Sequence, residues 1–283
     1  MIYRSKKFRK KIKRFILIFF ITLLTLIVAF PLFWMISNSF KPYQETYSYP
    51  PTFLPKVFTL LNYQELLDLT GFIIHYKNTL VVALTATFLA IIISCLGGYS
   101  LSKFRFRGKA LLTRVSLVTY MTPTILLVIP FFEIWVRLKL VDTLFSLTVS
   151  SISFTLPFGL LLMRSYFQGI PVDLEEAALI DGATRFQAFC KVIFPQALPG
   201  VISTGLFTFI VVWQEYLYAL VLINSEAKKT LTLSIADLMG QSAIYSWGML
   251  MAAGVLMTAP VLIGFIFIEK QLIAGFNVGA IKG

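Results

Sequence analysis

Charge is scarce in this chain. Only 13% of its 283 residues are Asp, Glu, Lys or Arg, where a soluble domain carries about 25%. That excludes an ordinary soluble globular domain. Acids are scarcer still, 13 against 25 basic residues, and the net charge is +12. The basic residues sit between long apolar runs and do not gather on one soluble face, so the excess speaks for membrane topology and against nucleic acid. A single histidine, His75, excludes bis-His haem within the chain. Cys95 and Cys190 are far apart and without Cys-x-x-Cys or Cys/His company, so neither a disulfide framework nor a zinc site is indicated. Paired acids, His-rich motifs and nucleophile constellations are missing, which leaves no sign of an enzyme. No repeat of 20–50 residues and no low-complexity tract beyond the basic N-terminal stretch occurs.

What is present is hydrophobic: 58% of the chain is apolar and 15% of the chain is aromatic. A bilayer core about 30 Å thick needs roughly 20 apolar residues of helix. Runs of that kind cover 15–36, 79–101, 110–136, 143–163, 201–223 and 247–268. The expectation is an all-α polytopic membrane protein with six transmembrane helices. The first run is longer than a signal-peptide core and reads as a retained helix. An even count puts both termini on one side. The N-terminal stretch and the second, fourth and C-terminal connections hold 18 Lys and Arg, the other connections 7. Both termini are therefore expected in the cytoplasm. The chain divides into a basic cytoplasmic tail 1–14, a first transmembrane helix 15–36, an extracytoplasmic segment 37–77 too short for a folded domain, a five-helix core 78–268 and a cytoplasmic tail 269–283. Ala86, Ala90, Ser94 and Gly98 recur every fourth residue in the second run and make one helix side smooth, suited to internal packing. Pro31, Pro123, Pro130, Pro157 and Pro260 allow bent, cavity-lining helices.

The longest inner connection, 164–200, spells two short helices. Asp173 with Glu176 three positions later suits a capping box, Gly182 suits the left-handed residue that closes a helix, and Thr184 with Gln187 repeats the cap. Phe186, Phe189, Cys190 and Ile193 supply the next apolar face until Pro195 stops the helix. A helix, glycine, helix hairpin is expected to project at the cytoplasmic surface.

The string EEAALIDGATRFQAFCKVIFPQALP is similar to the cytoplasmic loop of binding-protein-dependent ABC importer permeases. Glu176, Ala177 and Ala178 match its opening, Gly182 its glycine, and 192–195 its closing apolar-x-apolar-Pro, with Val192 and Phe194 as conservative changes. Asp181 and Ala183 around Gly182 resemble the carbohydrate branch. SFKPYQE (39–45), TLLNYQEL (59–66), NTLVVA (78–83), GGYSLSKFRFRGK (97–109), LVDTLFSL (140–147), WQEYLYAL (213–220) and GAIKG (279–283) each resemble segments of the G-type permeases of maltose transporters. Gln214 stands where the family often has Asn.

The resemblance implies a type I ABC importer permease fold with a cytoplasmic helix-turn-helix coupling loop. It also implies a bacterial or archaeal cytoplasmic membrane, and a function as the permease subunit of an importer for a sugar or oligosaccharide. The chain has no Gly-x-x-x-x-Gly-Lys-[Ser/Thr] phosphate cradle, so ATP and Mg would be bound by a separate ATPase. Implied partners are a second permease subunit of different sequence, two copies of the ATPase and an extracytoplasmic solute-binding protein. ATP-driven closure would drag the loop and switch the open side of the pathway. Glu176 would orient the hairpin, Ala177, Ala178, Asp181, Gly182, Ala183 and Pro195 shape it, and Phe186 and Phe189 would anchor it on the ATPase.

Within the runs the acids are Glu133 and Glu215. Arg137 one turn after Glu133 suits an interfacial salt bridge. Trp213, Gln214, Glu215 and Tyr218 are the candidates for the sugar pathway, since aromatic faces and hydroxyl acceptors hold sugars. An ion-coupled secondary carrier would need an acid or His relay at the midplane, which is almost absent. A permease for a non-carbohydrate solute such as glycerol phosphate stays open.

Overall fold

In the computed structural model the described residues are 2–240 and 246–280, with side chains over 10–240 and 246–266. The closing GAIKG motif therefore falls largely outside the described residues, as do the side chains of the C-terminal tail. Every regular element among the described residues is helical. Four helices are long and apolar enough to cross a membrane, or up to six if two bent pairs each count as one span. The continuous ones are α1 (Ile2–Ser39), α4 (Phe72–Lys103), α7 (Leu144–Gly169) and α14 (Trp247–Ala280).

The third expected span, 110–136, is not one helix. It is α5 (Lys109–Met121) and α6 (Ile125–Arg137), bent by 104°. Pro123 explains the break, because it has no N–H to offer and forces its predecessor, Thr122, out of helical geometry; Thr122 is extended at ψ 125°. Each half, at 13 residues, reaches about 20 Å, short of a bilayer core. The fifth expected span, 201–223, also ends early. Helix α11 (Leu198–Trp213) stops at Trp213, and α12 (Leu217–Leu222) resumes after a three-residue gap. By contrast Pro31, Pro130, Pro157 and Pro260 lie inside continuous helices.

The chain forms two compact units. One holds residues 1–71 and 238–258. In it, the segment after α1 is a dense knot carrying α2 (Tyr43–Thr46) and α3 (Leu61–Leu69), more ordered than its length suggested. Its centre is Lys41, 1% exposed, whose Nζ donates to Asn38 Oδ1 at 3.1 Å and to the Thr52 carbonyl, and lies 4.6 Å from the Trp34 ring centroid. Burial pushes the Lys41 pKa below that of an ordinary lysine. Asn62 donates to the Ser39 and Lys41 carbonyls, which ties α3 to the end of α1. Glu45 accepts from the Lys56 amide and Thr52 Oγ1, both at 2.8 Å.

The other unit holds 72–237 and 259–283. Here α4, α7 and α11 pack together. Ala86, Ala90, Ser94 and Gly98 of α4 are all buried, as expected of an internal seam. A Cβ on Gly98 would stand 2.7 Å from Met163 Cβ and 2.9 Å from the Arg164 amide nitrogen; on Gly159 it would overlap Ser94 Oγ. Helix α7 starts from Thr143, whose hydroxyl accepts from the Ser146 amide at 3.1 Å. Just before it, Asp142 sits at φ 61°, a conformation that Asp and Asn tolerate. Its Oδ1 accepts from the Asn224 and Ser225 amides, each at 3.0 Å, and its Oδ2 from Ser225 Oγ at 2.7 Å and Lys228 Nζ at 3.2 Å. The chain after α12, including a 3-10 turn at Glu226–Lys228, is thereby clipped to the α6–α7 connection. The bonds from Ser225 above all hold the Asp142 carboxyl well below the usual carboxylate range. Glu133 and Arg137 approach to 3.9 Å with both side chains exposed, a pair of small consequence.

Two outcomes follow. Gly98→Leu must displace backbone, and small-to-large changes in packed seams cost about 1–3 kcal/mol; thermal unfolding in detergent should show the loss, with Gly169→Ala, where a Cβ meets nothing, as a surface comparison. Asp142 is more acidic folded than unfolded, so its contribution is complete above about pH 4 and disappears as pH falls toward its folded value. Stability measured from pH 6 down to pH 2 should therefore fall more steeply in the wild type than in Asp142→Asn.

Candidate functional site

The 164–200 connection folds as a hairpin. Helix α8 (Val172–Ile180) closes in a Schellman motif: the Ala183 amide donates to the Ala178 carbonyl at 3.0 Å and Gly182 to Leu179 at 3.1 Å. Gly182 sits at φ +86° with open space where a Cβ would be, so glycine is required by backbone conformation and not by crowding. Helix α9 (Arg185–Ala188) starts from the expected capping box: the Thr184 amide donates to Gln187 Oε1 at 2.8 Å and the Gln187 amide to Thr184 Oγ1 at 3.3 Å.

Two expectations are corrected. Asp173 with Glu176 makes no cap; α8 begins two residues earlier than that cap would place it, from Pro171, whose fixed φ of −54° starts the helix without a side-chain bond. Asp173 lies instead in the first turn, where a negative charge suits the helix dipole. Pro195 does not stop the second helix. A π turn at Phe189–Ile193 precedes it, Pro195 enters the short α10 (Phe194–Gln196), and α11 follows at a bend of 74°. The early turn of a new helix tolerates the missing N–H of Pro195.

The hairpin is seated on α4 and α7 by contacts that run across the sequence. Tyr99 Oη donates to Glu175 Oε1 at 2.6 Å, and Glu175 is 6% exposed. Lys103 Nζ donates to the Ile170 carbonyl at 2.8 Å, and the Arg185 guanidinium lies 5.6 Å from the Phe104 ring centroid. Beneath these, Tyr99, Phe167 and Phe189 form a ring cluster with centroids 4.7–6.1 Å apart, continued by Cys95, Met163 and Ile193. Sequence reasoning took Glu176 as the organising acid and missed Glu175, Tyr99, Lys103 and Arg185. The adjacent Glu175–Glu176 pair was the one local signal, and it does not tell which of the two turns inward.

Of the residues singled out in the loop, Glu176, Ala177, Asp181, Gly182, Phe186 and Pro195 are exposed, and Ala178 and Ala183 are half-buried. Phe189 is corrected as an anchor: at 7% exposure it belongs to the ring cluster. Phe186 is 70% exposed and Ile180, across the glycine turn, 85%. Together they give the hairpin an apolar tip.

A second site lies where the two interrupted helices meet. Glu215, in the gap after α11, accepts from the Tyr218 amide at 2.6 Å and the Ala219 amide at 3.0 Å, one oxygen each. It caps the first turn of α12. Tyr218 Oη donates to the Thr124 carbonyl at 3.2 Å, an oxygen just after the Pro123 break that also accepts from the Leu127 amide at 3.0 Å. The Tyr218 ring is buried, stacked on Phe154 and edge-on to Phe131. Trp213 is likewise buried between Phe209 and Tyr76. Neither aromatic face is open to a sugar, so reading these two rings as platforms is corrected to packing. Gln214, Pro123 and Thr124 are exposed beside the breaks.

Comparison with known proteins bears on both sites. The family described as binding-protein-dependent transport system inner membrane component matches residues 86–274, which takes in the hairpin and both breaks. The chain is 34% identical over 265 residues to the inner membrane ABC transporter permease protein YcjP of Escherichia coli, covering 93% of this chain and 94% of that one. It is 34% identical over 279 residues to the trehalose/maltose transport system permease protein MalG of Thermococcus litoralis, covering 96% and 98%. A chain in the crystal structure of a bacterial ABC transporter involved in the import of the acidic polysaccharide alginate superposes with a TM-score of 0.77 at 25% identity, over 93% of this chain and 97% of that one.

The seat of the hairpin can be probed directly. Tyr99→Phe leaves the buried Glu175 carboxylate one donor short, at a cost of about 1–3 kcal/mol. Amide exchange across 172–180 should accelerate about tenfold or more, while exchange in the middle of α4 stays unchanged; equal protection of α8 in both proteins would contradict the role given to this bond.

Proposed function

The chain belongs to the family of binding-protein-dependent transport system inner membrane components, and from that membership we propose that its hairpin is the part an ATPase subunit moves. It is a multi-pass inner-membrane permease subunit of an ABC importer. The single observation that carries the proposal is an apolar tip, Ile180 and Phe186, on a hairpin whose base is fused to two spanning helices. An exposed apolar tip calls for a partner, and a rigid base makes its displacement felt along α4 and α7.

In this reading both termini and the hairpin face the cytoplasm, as the distribution of Lys and Arg supports. Two ATPase copies, which bind ATP and Mg, close and pull this hairpin and that of a second permease together. The helices shift as bodies and exchange the open side of the pathway. A solute-binding protein delivers cargo from outside, and this chain has no catalytic site of its own. The cargo is a sugar or oligosaccharide, supported by the saccharides named for the Thermococcus litoralis relative and the alginate importer. Non-helical backbone at membrane depth is tolerated where it is buried in protein or lines a water-filled cavity. The junction of the two breaks is therefore the part of the pathway this chain contributes. Gln214 is exposed beside it, and Glu215 and Tyr218 hold its shape. With both carboxylate oxygens engaged by α12 amides, Glu215 is poorly placed as the proton relay of a secondary carrier.

The assembled complex tests this. Ile180→Asp combined with Phe186→Ala should remove contacts of the kind that dominate interfaces, about 2 kcal/mol or more, and co-purification of the ATPase should fall by about thirtyfold; full recovery of the ATPase would overturn the docking role. Glu215→Ala should lower uptake of a radiolabelled disaccharide while the level of chain in the membrane holds, because the lost cap, worth about 1 kcal/mol, loosens α12 without unfolding the bundle.

A further inference from the structure

Away from both sites, a cavity of about 790 Å³ opens at the start of α5, lined by Phe106, Gly108, Lys109, Arg114 and Arg164 among others. Three separate features there favour an anion. Arg164, near the end of α7, has its Nε buried with no hydrogen-bond partner, an arrangement that costs free energy unless something fills it. Among the described residues neither Arg164 nor Arg114 forms an ion pair, although the wall of the cavity is basic. Gly108, at φ +90°, starts the 13-residue α5 without a side-chain cap; the Lys109 and Leu112 amides donate to the Phe106 and Gly108 carbonyls, which leaves the amides of Ala110 and Leu111, both lining the cavity, open to an anion. Lys109 is otherwise engaged: its Nζ donates to the Ser102 and Phe104 carbonyls at 3.2 and 3.0 Å and holds the short connection in shape.

The surroundings are apolar. Immediately beyond the cavity, Leu111, Leu112, Val115 and Val118 of α5 are all more than half exposed. A soluble anion would have no use for that surface, whereas acyl chains would lie along it. We propose that this cavity is a specific site for one anionic phospholipid, its phosphate taken by Arg114, Arg164 and the α5 N-terminus and its chains laid on the exposed face of α5. Basic pockets at helix ends on the cytoplasmic side are suited to such headgroups. The inference needs only that this end of the helices meets a leaflet; it is independent of the cargo and of docking by an ATPase.

Native mass spectrometry of the full chain in mild detergent tests it, with dioleoyl phosphatidylglycerol, dioleoyl phosphatidylcholine and inorganic phosphate as probes. The wild type should retain one phosphatidylglycerol and little phosphatidylcholine, and millimolar inorganic phosphate should not displace it. Arg114→Gln and Arg164→Gln should each weaken retention about fivefold, as expected for one basic side chain at a headgroup. Arg114→Lys, which keeps the charge on an exposed residue, should retain the lipid and serves if a glutamine variant does not fold. Equal retention of the two lipids, displacement by inorganic phosphate, or loss of the lipid in Arg114→Lys as complete as in Arg114→Gln would overturn the site.

Discussion

Everything in the larger unit depends on how closely α4 and α7 approach. Lipid offers no hydrophobic drive between helices, so contact has to come from shape, and the shape is set by what is missing. Gly98 leaves room for the Met163–Arg164 backbone, Gly97 for Leu160 and Gly159 for Ser94. Gly200 of α11 takes the ring of Tyr166 against its backbone in the same way. These clearances bring the lower part of α4 near enough to α7 for Tyr99 to reach Phe167, and so for Phe189 to be closed over both.

The hairpin is consequently an extension of that seam and not a loose connection. Its internal turns, the Schellman closure and the Thr184 box, fix only its local form. Its orientation comes from the Tyr99–Glu175 bond, the Lys103 bond to Ile170 and the buried Phe189. The same logic operates at the helix breaks. Each leaves backbone groups that lipid cannot satisfy: within the second break Glu215 caps α12, and Tyr218 on that helix adds a bond across to the Thr124 carbonyl beside the first.

Periodic and local features were legible in the amino-acid sequence. The small-residue side of α4, the left-handed Gly182 and the Thr184–Gln187 box depend on residues a few positions apart, and they stand as read. Break points were half legible. Five prolines invite kinks, but of these only Pro123 interrupts a helix; α6 and α7 run on through Pro130 and Pro157. The end of α11 at Trp213 has no proline to announce it; a capping acid two residues later was read as a ligand for cargo, because a carboxylate at membrane depth has more than one use. Glu175 and Tyr99 were illegible as a pair. They are 76 positions apart, and only tertiary structure tells which of two adjacent glutamates turns inward.

The same seam also explains why such a bundle can move. Thr87 and Ser94 of α4 and Thr204 and Thr208 of α11 bury their hydroxyls with no hydrogen-bond partner, that of Ser94 against Gly159 of α7. Each orphan costs about 1–3 kcal/mol relative to a paired group, so the interior is not arranged for greatest stability. A contact maintained by fit alone has no directional bonds to break when one helix slides over another by a fraction of a turn, and small hydroxyls offer alternative partners along the way. The directional bonds are concentrated elsewhere, at the base of the hairpin, at the Asp142 clip and at the two breaks. On the alternating-access reading that division is what a lever requires: stiff joints where force enters and where the pathway keeps its shape, joined by a smooth, under-bonded interior that lets displacement pass.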